Sequence, residues 1–163
     1  MANTEDAWKA FQHTNELIKT ADAKAGAVLA AGGVLGGVLV NALPAQPWWS
    51  GTWLSTALLL TSIVLVSVSI LLSLAVFVPR LRPRESISPL YFDNIARRYR
   101  TPDVFSERYT EVLDHEDQLQ HALSEQIWVT SRIARRKFRA VAPAVWFFGA
   151  ALITALLAGV IGT

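Results

Sequence analysis

The side chains able to do chemistry in this chain stand beside its apolar runs rather than within them. Asp22 lies on an apolar helical stripe about one turn before a long uncharged run. A buried carboxylate is costly unless it is paired or hydrogen-bonded. Lys24 cannot pair with it along the same helix, because residues two apart are about 200° apart around the axis. The basic cluster from Arg135 to Arg139, which contains Lys137, approaches the last apolar run at matching depth. An ion pair fixing how two helices meet is the reading this suggests, with a ligand contact as the alternative. Gln126 and Thr130 interrupt the stripe of a later helix, with Ser131 and Arg135 beside it as i, i+4 neighbours. A polar patch in a packing face is either a buried network or a small-molecule pocket.

Catalytic patterns are missing. His13, His115 and His121 lack metal-ligand spacing, and Asp117 with His121 reads as a surface i, i+4 pair. The chain has no P-loop, nucleophile elbow or Gly-rich phosphate loop, and no cysteine. The expectation is therefore no catalytic residue, no metal and no cofactor.

The elements that position these residues follow from segregation of charge. Apolar residues make up 52% of the chain and charged residues 17%, and the two are separated into blocks. Ala25 to Leu43, Trp53 to Val78 and Val141 to Ile161 carry no charge, and Pro44 and Pro79 stop the first two. Each run is near the roughly 20 residues that cross ~30 Å of hydrocarbon. This predicts spans over 25–43, 53–78 and 141–161. Lys19 and Lys24 precede the first span, Arg80, Arg82 and Arg84 follow the second, and Arg132 to Arg139 precede the third. The positive-inside rule then places the N-terminus (1–24) and residues 79–140 in the cytoplasm and the C-terminus outside. The loop carrying Trp48 and Trp49, together with Trp53, resembles an interfacial aromatic belt. Met1 to Lys24 mixes acids and bases, unlike the basic start of a cleavable signal. A net charge of +2 gives no reason to expect nucleic acid as a partner.

The polar blocks read as helices. Trp8, Phe11, Ile18 and Ala25 recur at helical spacing, with Asn15 and Asp22 on the same stripe. Ser88 and Pro89 open a short helix ending at Arg98, and Thr101 and Pro102 open another. Phe105, Tyr109, Val112, Leu119, Leu123, Ile127 and Ile133 then form one long stripe with no break evident before Pro143. Strand signals are absent. The predicted fold is an all-α integral membrane protein: three transmembrane helices with a helical cytoplasmic bundle formed by the N-terminal helix and the segment between spans two and three.

Small residues set the packing. Gly32 with Gly36 and Gly33 with Gly37 form overlapping motifs that let helix backbones approach closely. Ser55, Ser62, Ser69 and Ser73 fall near one line of the second span. They either hydrogen-bond across a helix interface or to their own helix, or line an aqueous path in an assembly. No span contains a charge, which argues against an ion-coupled carrier.

Three stretches carry a resemblance. Ile18-Lys19-Thr20-Ala21-Asp22-Ala23-Lys24-Ala25 resembles the AD-x-KA signature of Pycsar transmembrane effectors. Tyr91-Phe92-Asp93-Asn94-Ile95-Ala96 looks like their short cytoplasmic motif. Gln126-Ile127, Ser131-Arg132-Ile133-Ala134 and Lys137-Phe138 are similar to the run that precedes the family's last span. The resemblance covers nearly the whole chain in the correct order. It implies bacterial anti-phage defence, in which a nucleotide cyclase encoded nearby makes cyclic UMP or cyclic CMP. The effector would bind that nucleotide and impair the inner membrane.

The chain lacks a standard cyclic-nucleotide-binding β-barrel, so a site must be built from helices. Arginine suits the phosphate, amides the base edge, and aromatic rings the base face. The candidates are Tyr91, Phe92, Asn94, Arg97, Arg98, Gln126, Trp128, Ser131 and Arg135. Pro143 removes a backbone bond and is the candidate hinge, and a homo-oligomer through the glycine and serine faces is expected. A constitutive channel or transporter subunit, or a membrane scaffold, would share the spans but need no nucleotide.

Overall fold

A computed structural model describes residues 4–43, 53–78, 90 and 92–162. These form five helices: α1 (Thr4–Asn41), α2 (Trp53–Phe77), α3 (Phe92–Arg98), α4 (Pro102–Asp114) and α5 (Glu116–Gly162). No strand occurs among the described residues. The loop carrying Trp48 and Trp49, the arginines 80, 82 and 84, the start signal at Ser88 and Pro89, and Tyr91 lie outside them.

Three helices, α1, α2 and α5, are long and apolar enough to cross a membrane. At 1.5 Å per residue, 38-residue α1 and 47-residue α5 run about 57 and 70 Å, well beyond a ~30 Å hydrocarbon layer. Each therefore joins a span to a polar stretch without a loop. The chain is an all-α, multi-pass membrane protein.

The long helix expected from Thr101 onward is instead two helices. His115 is extended (φ −115°, ψ 103°) and ends α4, while its carbonyl accepts the Leu119 N–H that opens α5. Its Nδ1 lies 2.9 Å from the Glu111 carbonyl, the kind of acceptor a helix leaves open in its last turn. No glycine or proline marks this break. The signal is Glu116 and Asp117, acids in a first helical turn where the dipole favours them. Thr101 is extended before Pro102, as the start signal predicts.

One period organises the helices. On α1, Thr4, Ala7, Phe11, Thr14, Ile18, Ala21, Ala25, Val28, Gly32, Leu35 and Leu39 alternate by three and four residues, and every one is buried or half-buried. Ser55, Leu59, Ser62, Val66, Ser69, Ser73 and Val76 repeat the pattern on α2. On α5, Leu123, Thr130, Lys137, Ala144, Ala151 and Ala158 recur every seven residues on the inward face. A 3.5-residue repeat keeps one narrow seam facing its neighbours along a long helix.

The chain divides into two compact units. The charged unit comprises residues 1–20 and 79–136, and the apolar unit residues 21–78 and 137–163. In the charged unit Val112, Ala122, Leu123, Val129 and Ala134 are buried, together with Thr14, Gln126 and Thr130. The start of α1 is tied to the start of α5: Thr4 Oγ1 donates to Glu116 Oε1 at 2.7 Å, and Gln120 Nε2 donates to Thr4 Oγ1 at 3.3 Å.

The apolar unit packs α1, α2 and α5. Ala21, Ala25, Val76 and Val141 form one buried cluster with Phe138 and Ala140 against it, and Leu39, Val66 and Ala151 form another. The two glycine motifs part ways here. A Cβ on Gly32 would lie 3.1 Å from Ile70 and 3.6 Å from Val66, and one on Gly36 would be 3.9 Å from Val66. Gly33 and Gly37 meet nothing within 4 Å among the described residues. The first motif brings α1 close to α2 within the chain; the second faces away from it.

The serine face is a stitched seam. Ser62 Oγ donates to the Ala151 carbonyl at 2.6 Å and Ser69 Oγ to the Ala144 carbonyl at 2.7 Å. Seven residues along α2 match seven along antiparallel α5. Buried Ala144, Ala151 and Ala158 supply the small side chains that let the hydroxyls reach backbone. Within the chain, Ser62 and Ser69 thus serve helix pairing.

Candidate functional site

Two places gather the chemistry-bearing residues. The first is in the charged unit, around Gln126. Its position on the inward seam of α5 leaves it 5% exposed. Its amide nitrogen donates to the Leu90 carbonyl at 3.3 Å, which brings α5 beside the chain just before α3. Its amide oxygen is buried with no partner among the described residues. Thr130, one turn on, returns its hydroxyl to the Gln126 and Ile127 carbonyls at 2.7 and 3.2 Å. Thr130 is thus satisfied by its own helix and leaves the Gln126 oxygen unanswered. A buried acceptor without a donor costs about 1–3 kcal/mol, so this atom is suited to a ligand that brings an N–H.

Not every sequence candidate joins it. Phe92 and Asn94 lie on α3, and Arg97 and Arg98 form that helix's exposed last turn, where cations complement the dipole. Ser131 and Arg135 are exposed. They are five and nine residues from Gln126, hence about 140° and 180° around α5, so the structure does not bring them to its face. Trp128 is also turned away and half exposed, with the Arg132 guanidinium over its ring at 4.7 Å. Closeness in sequence makes Gln126 and Arg135 look like one patch; helical spacing puts them on opposite faces of α5.

The second place is in the apolar unit. Lys137 Nζ lies 2.5 and 2.7 Å from the two carboxylate oxygens of Asp22. Asp22 is carried by the inward face of α1, and Lys137 occupies a seam position on α5. Beside them the Lys24 ammonium sits 5.7 Å from the centre of the Phe138 ring, within reach of a cation–π attraction. The ion pair is half-buried, with side-chain exposures of 34% for Asp22 and 23% for Lys137. An exposed pair of this kind contributes up to about 1 kcal/mol, and partial burial strengthens the attraction while adding a desolvation cost. Among the described residues, no three His, Cys, Asp or Glu side chains are grouped to hold a metal.

The second place joins two of the stretches singled out in the sequence, and the first lies next to one of them. Ala21-Asp22-Ala23-Lys24 meets Lys137-Phe138, and Gln126 meets Leu90, which precedes Tyr91-Phe92-Asp93-Asn94. Pro143 lies inside α5, which continues through it.

No solved structure matches the chain significantly. The Pycsar effector protein MePycTM of Micromonospora echinofusca is 38% identical over 48 residues, 29% of this chain and 81% of that protein. The Pycsar effector protein PtPycTM of Propioniciclava tarda is 27% identical over 147 residues, 85% of this chain and 69% of that one. The Pycsar effector protein domain model matches residues 6–162, almost the whole chain. A multi-pass helical protein so matched from end to end belongs to the Pycsar effector family.

Proposed function

We propose that this chain is a bacterial anti-phage effector that binds a cyclic pyrimidine nucleotide, cyclic UMP or cyclic CMP, and then impairs the inner membrane. Family membership supports the effector role, and three long apolar helices support a membrane target. The observation that carries the ligand is the buried amide oxygen of Gln126, which has no partner among the described residues. Uracil offers an N3–H and cytosine a 4-amino group, and either answers that oxygen. Arg97 and Arg98 at the end of α3 supply cations for the phosphate, with Tyr91, Phe92 and Asn94 on the adjoining stretch. The nucleotide comes from a cyclase encoded nearby. In this reading the N-terminus and the charged unit face the cytoplasm, where the nucleotide is made, and the C-terminus lies outside.

Binding drives change only through a higher affinity for one of two states. The spans then rearrange or assemble with further copies, with the proline in α5 as the bend point. The test is calorimetry on purified protein with cyclic UMP and cyclic CMP. A Gln126→Met variant keeps the volume and removes the acceptor. It is expected to bind about tenfold or more weakly, since an unpaired partner costs about 1.4 kcal/mol or more. Unchanged affinity rejects Gln126 as the base reader. Membrane depolarisation in cells without either nucleotide would favour a constitutive channel, and none with either nucleotide a scaffold.

A further inference from the structure

In the apolar unit α2 and α5 are joined by hydroxyl-to-carbonyl bonds at Ser62 and Ser69. Helix α1 has no such means. From Ala25 to Val40 it carries only alanine, glycine, valine and leucine, and Asn41 spends its amide on its own helix, at the Gly37 carbonyl. In lipid, apolar side chains gain nothing from leaving solvent, and dispersion and polar bonds decide which helices stay together. What holds α1 to α5 by charge is therefore confined to its first turn in this unit, at Asp22 and Lys24.

All four charged residues of the apolar unit, Asp22, Lys24, Lys137 and Arg139, lie within its first turns on α1 and α5. Two of them form the ion pair and a third rests on Phe138. Both members of the pair are part-exposed and stand outside the uncharged runs. Water can therefore re-solvate them when they part, whereas a fully buried pair would leave uncompensated charges at a far higher cost.

We infer that the Asp22–Lys137 pair is a latch: it holds α1 against the serine-stitched α2–α5 pair in the resting state, and α1 is the span that parts from α5 when it opens. The inference rests on the effector reading above for what opening accomplishes, but its test needs no nucleotide. Asp22→Asn and Lys137→Met are expressed singly in cells lacking the cyclase, alongside the charge-exchanged double variant Asp22→Lys/Lys137→Asp. Each single change is expected to raise resting membrane leak about fivefold over the native protein, the population shift carried by ~1 kcal/mol, and the exchanged pair to restore it. Single variants as tight as the native protein, at equal membrane abundance, overturn the latch. So does an exchanged pair as leaky as the singles.

A second variant covers poor accumulation of the singles. The chain has no cysteine, so Asp22→Cys/Lys137→Cys can be bridged by a short bifunctional, reducible thiol reagent in liposomes. Leak is expected when the thiols are free, loss of leak on bridging, and its return on reduction; leak indifferent to bridging overturns the proposal. Failure of the native protein to respond to cyclic UMP or cyclic CMP would remove the trigger proposed above and leave these latch results standing.

Discussion

The two units share a seven-residue seam and hold it closed by opposite means. In the charged unit the seam of α5 presents Leu123, Gln126 and Thr130, and the closest packing centres on Leu123 and Val112. In water such burial is driven by removing apolar surface from solvent. In the apolar unit the same helix presents Ala144, Ala151 and Ala158, and α2 answers with Ser62 and Ser69. Lipid removes the hydrophobic drive, so small residues allow close backbones and hydroxyls supply the bonds. The comparison teaches that one period can specify helix pairing in both solvents, while side-chain chemistry reports which solvent each stretch meets.

The largest expected effect breaks the comparison on the charged side. Leu123 is fully buried, so Leu123→Ala should remove about 2–5 kcal/mol from the charged unit. Hydrogen exchange on protein in detergent reads this as faster exchange across α4 and the first turns of α5. Amides of α2 should keep their protection. Equal acceleration in α2 would show that the two units unfold as one and that the division is only geometric.

How much of this was legible follows from the same physics. The spans were readable because hydrocarbon thickness demands uncharged runs of fixed length, and nothing else in a short chain does. That Asp22 needed a partner on another helix was readable from its place on an apolar stripe. That the partner is Lys137 rather than Arg135, Arg136 or Arg139 was not, because a cluster of like charges hides which one lies on the seam. Extending the seven-residue count from Leu123 through Thr130 selects Lys137 and puts Ser131 and Arg135 outside. The break at His115 escaped because extended backbone there needs no special residue, only acids to begin the next helix.

Next in size is the close approach of α1 to α2. Gly32→Leu must displace Ile70, only 3.1 Å from the new Cβ, and overpacking of this kind costs about 1–3 kcal/mol. Gly33→Leu meets nothing within 4 Å among the described residues and should leave the melting temperature of the detergent-solubilised monomer unchanged. The neighbouring pair sharpens the contrast between a face used within the chain and one turned outward. If Gly33→Leu leaves the monomer intact but lowers oligomer size, the outward motif serves contacts between copies.

The smallest effect separates the serines themselves. Ser69→Ala removes a hydroxyl bonded across the seam, and such bonds in membrane proteins average about 0.6 kcal/mol. Ser73 is equally buried on the same face, yet its hydroxyl has no partner among the described residues. It also departs from the habit of Ser67 and Thr61, which return their hydroxyls to the carbonyl four residues back. Ser73→Ala should therefore be neutral or slightly stabilising, because it relieves an unmet polar group at almost no loss of packing. Thermal melts of both variants in one detergent decide it. A loss at Ser73 as large as at Ser69 would mean that its hydroxyl is bonded in the working membrane protein. The register of Ser62 on Ala151 and Ser69 on Ala144 points that bond at the α5 backbone near Ala140, beside the Arg139 carbonyl that Pro143 has no N–H to satisfy.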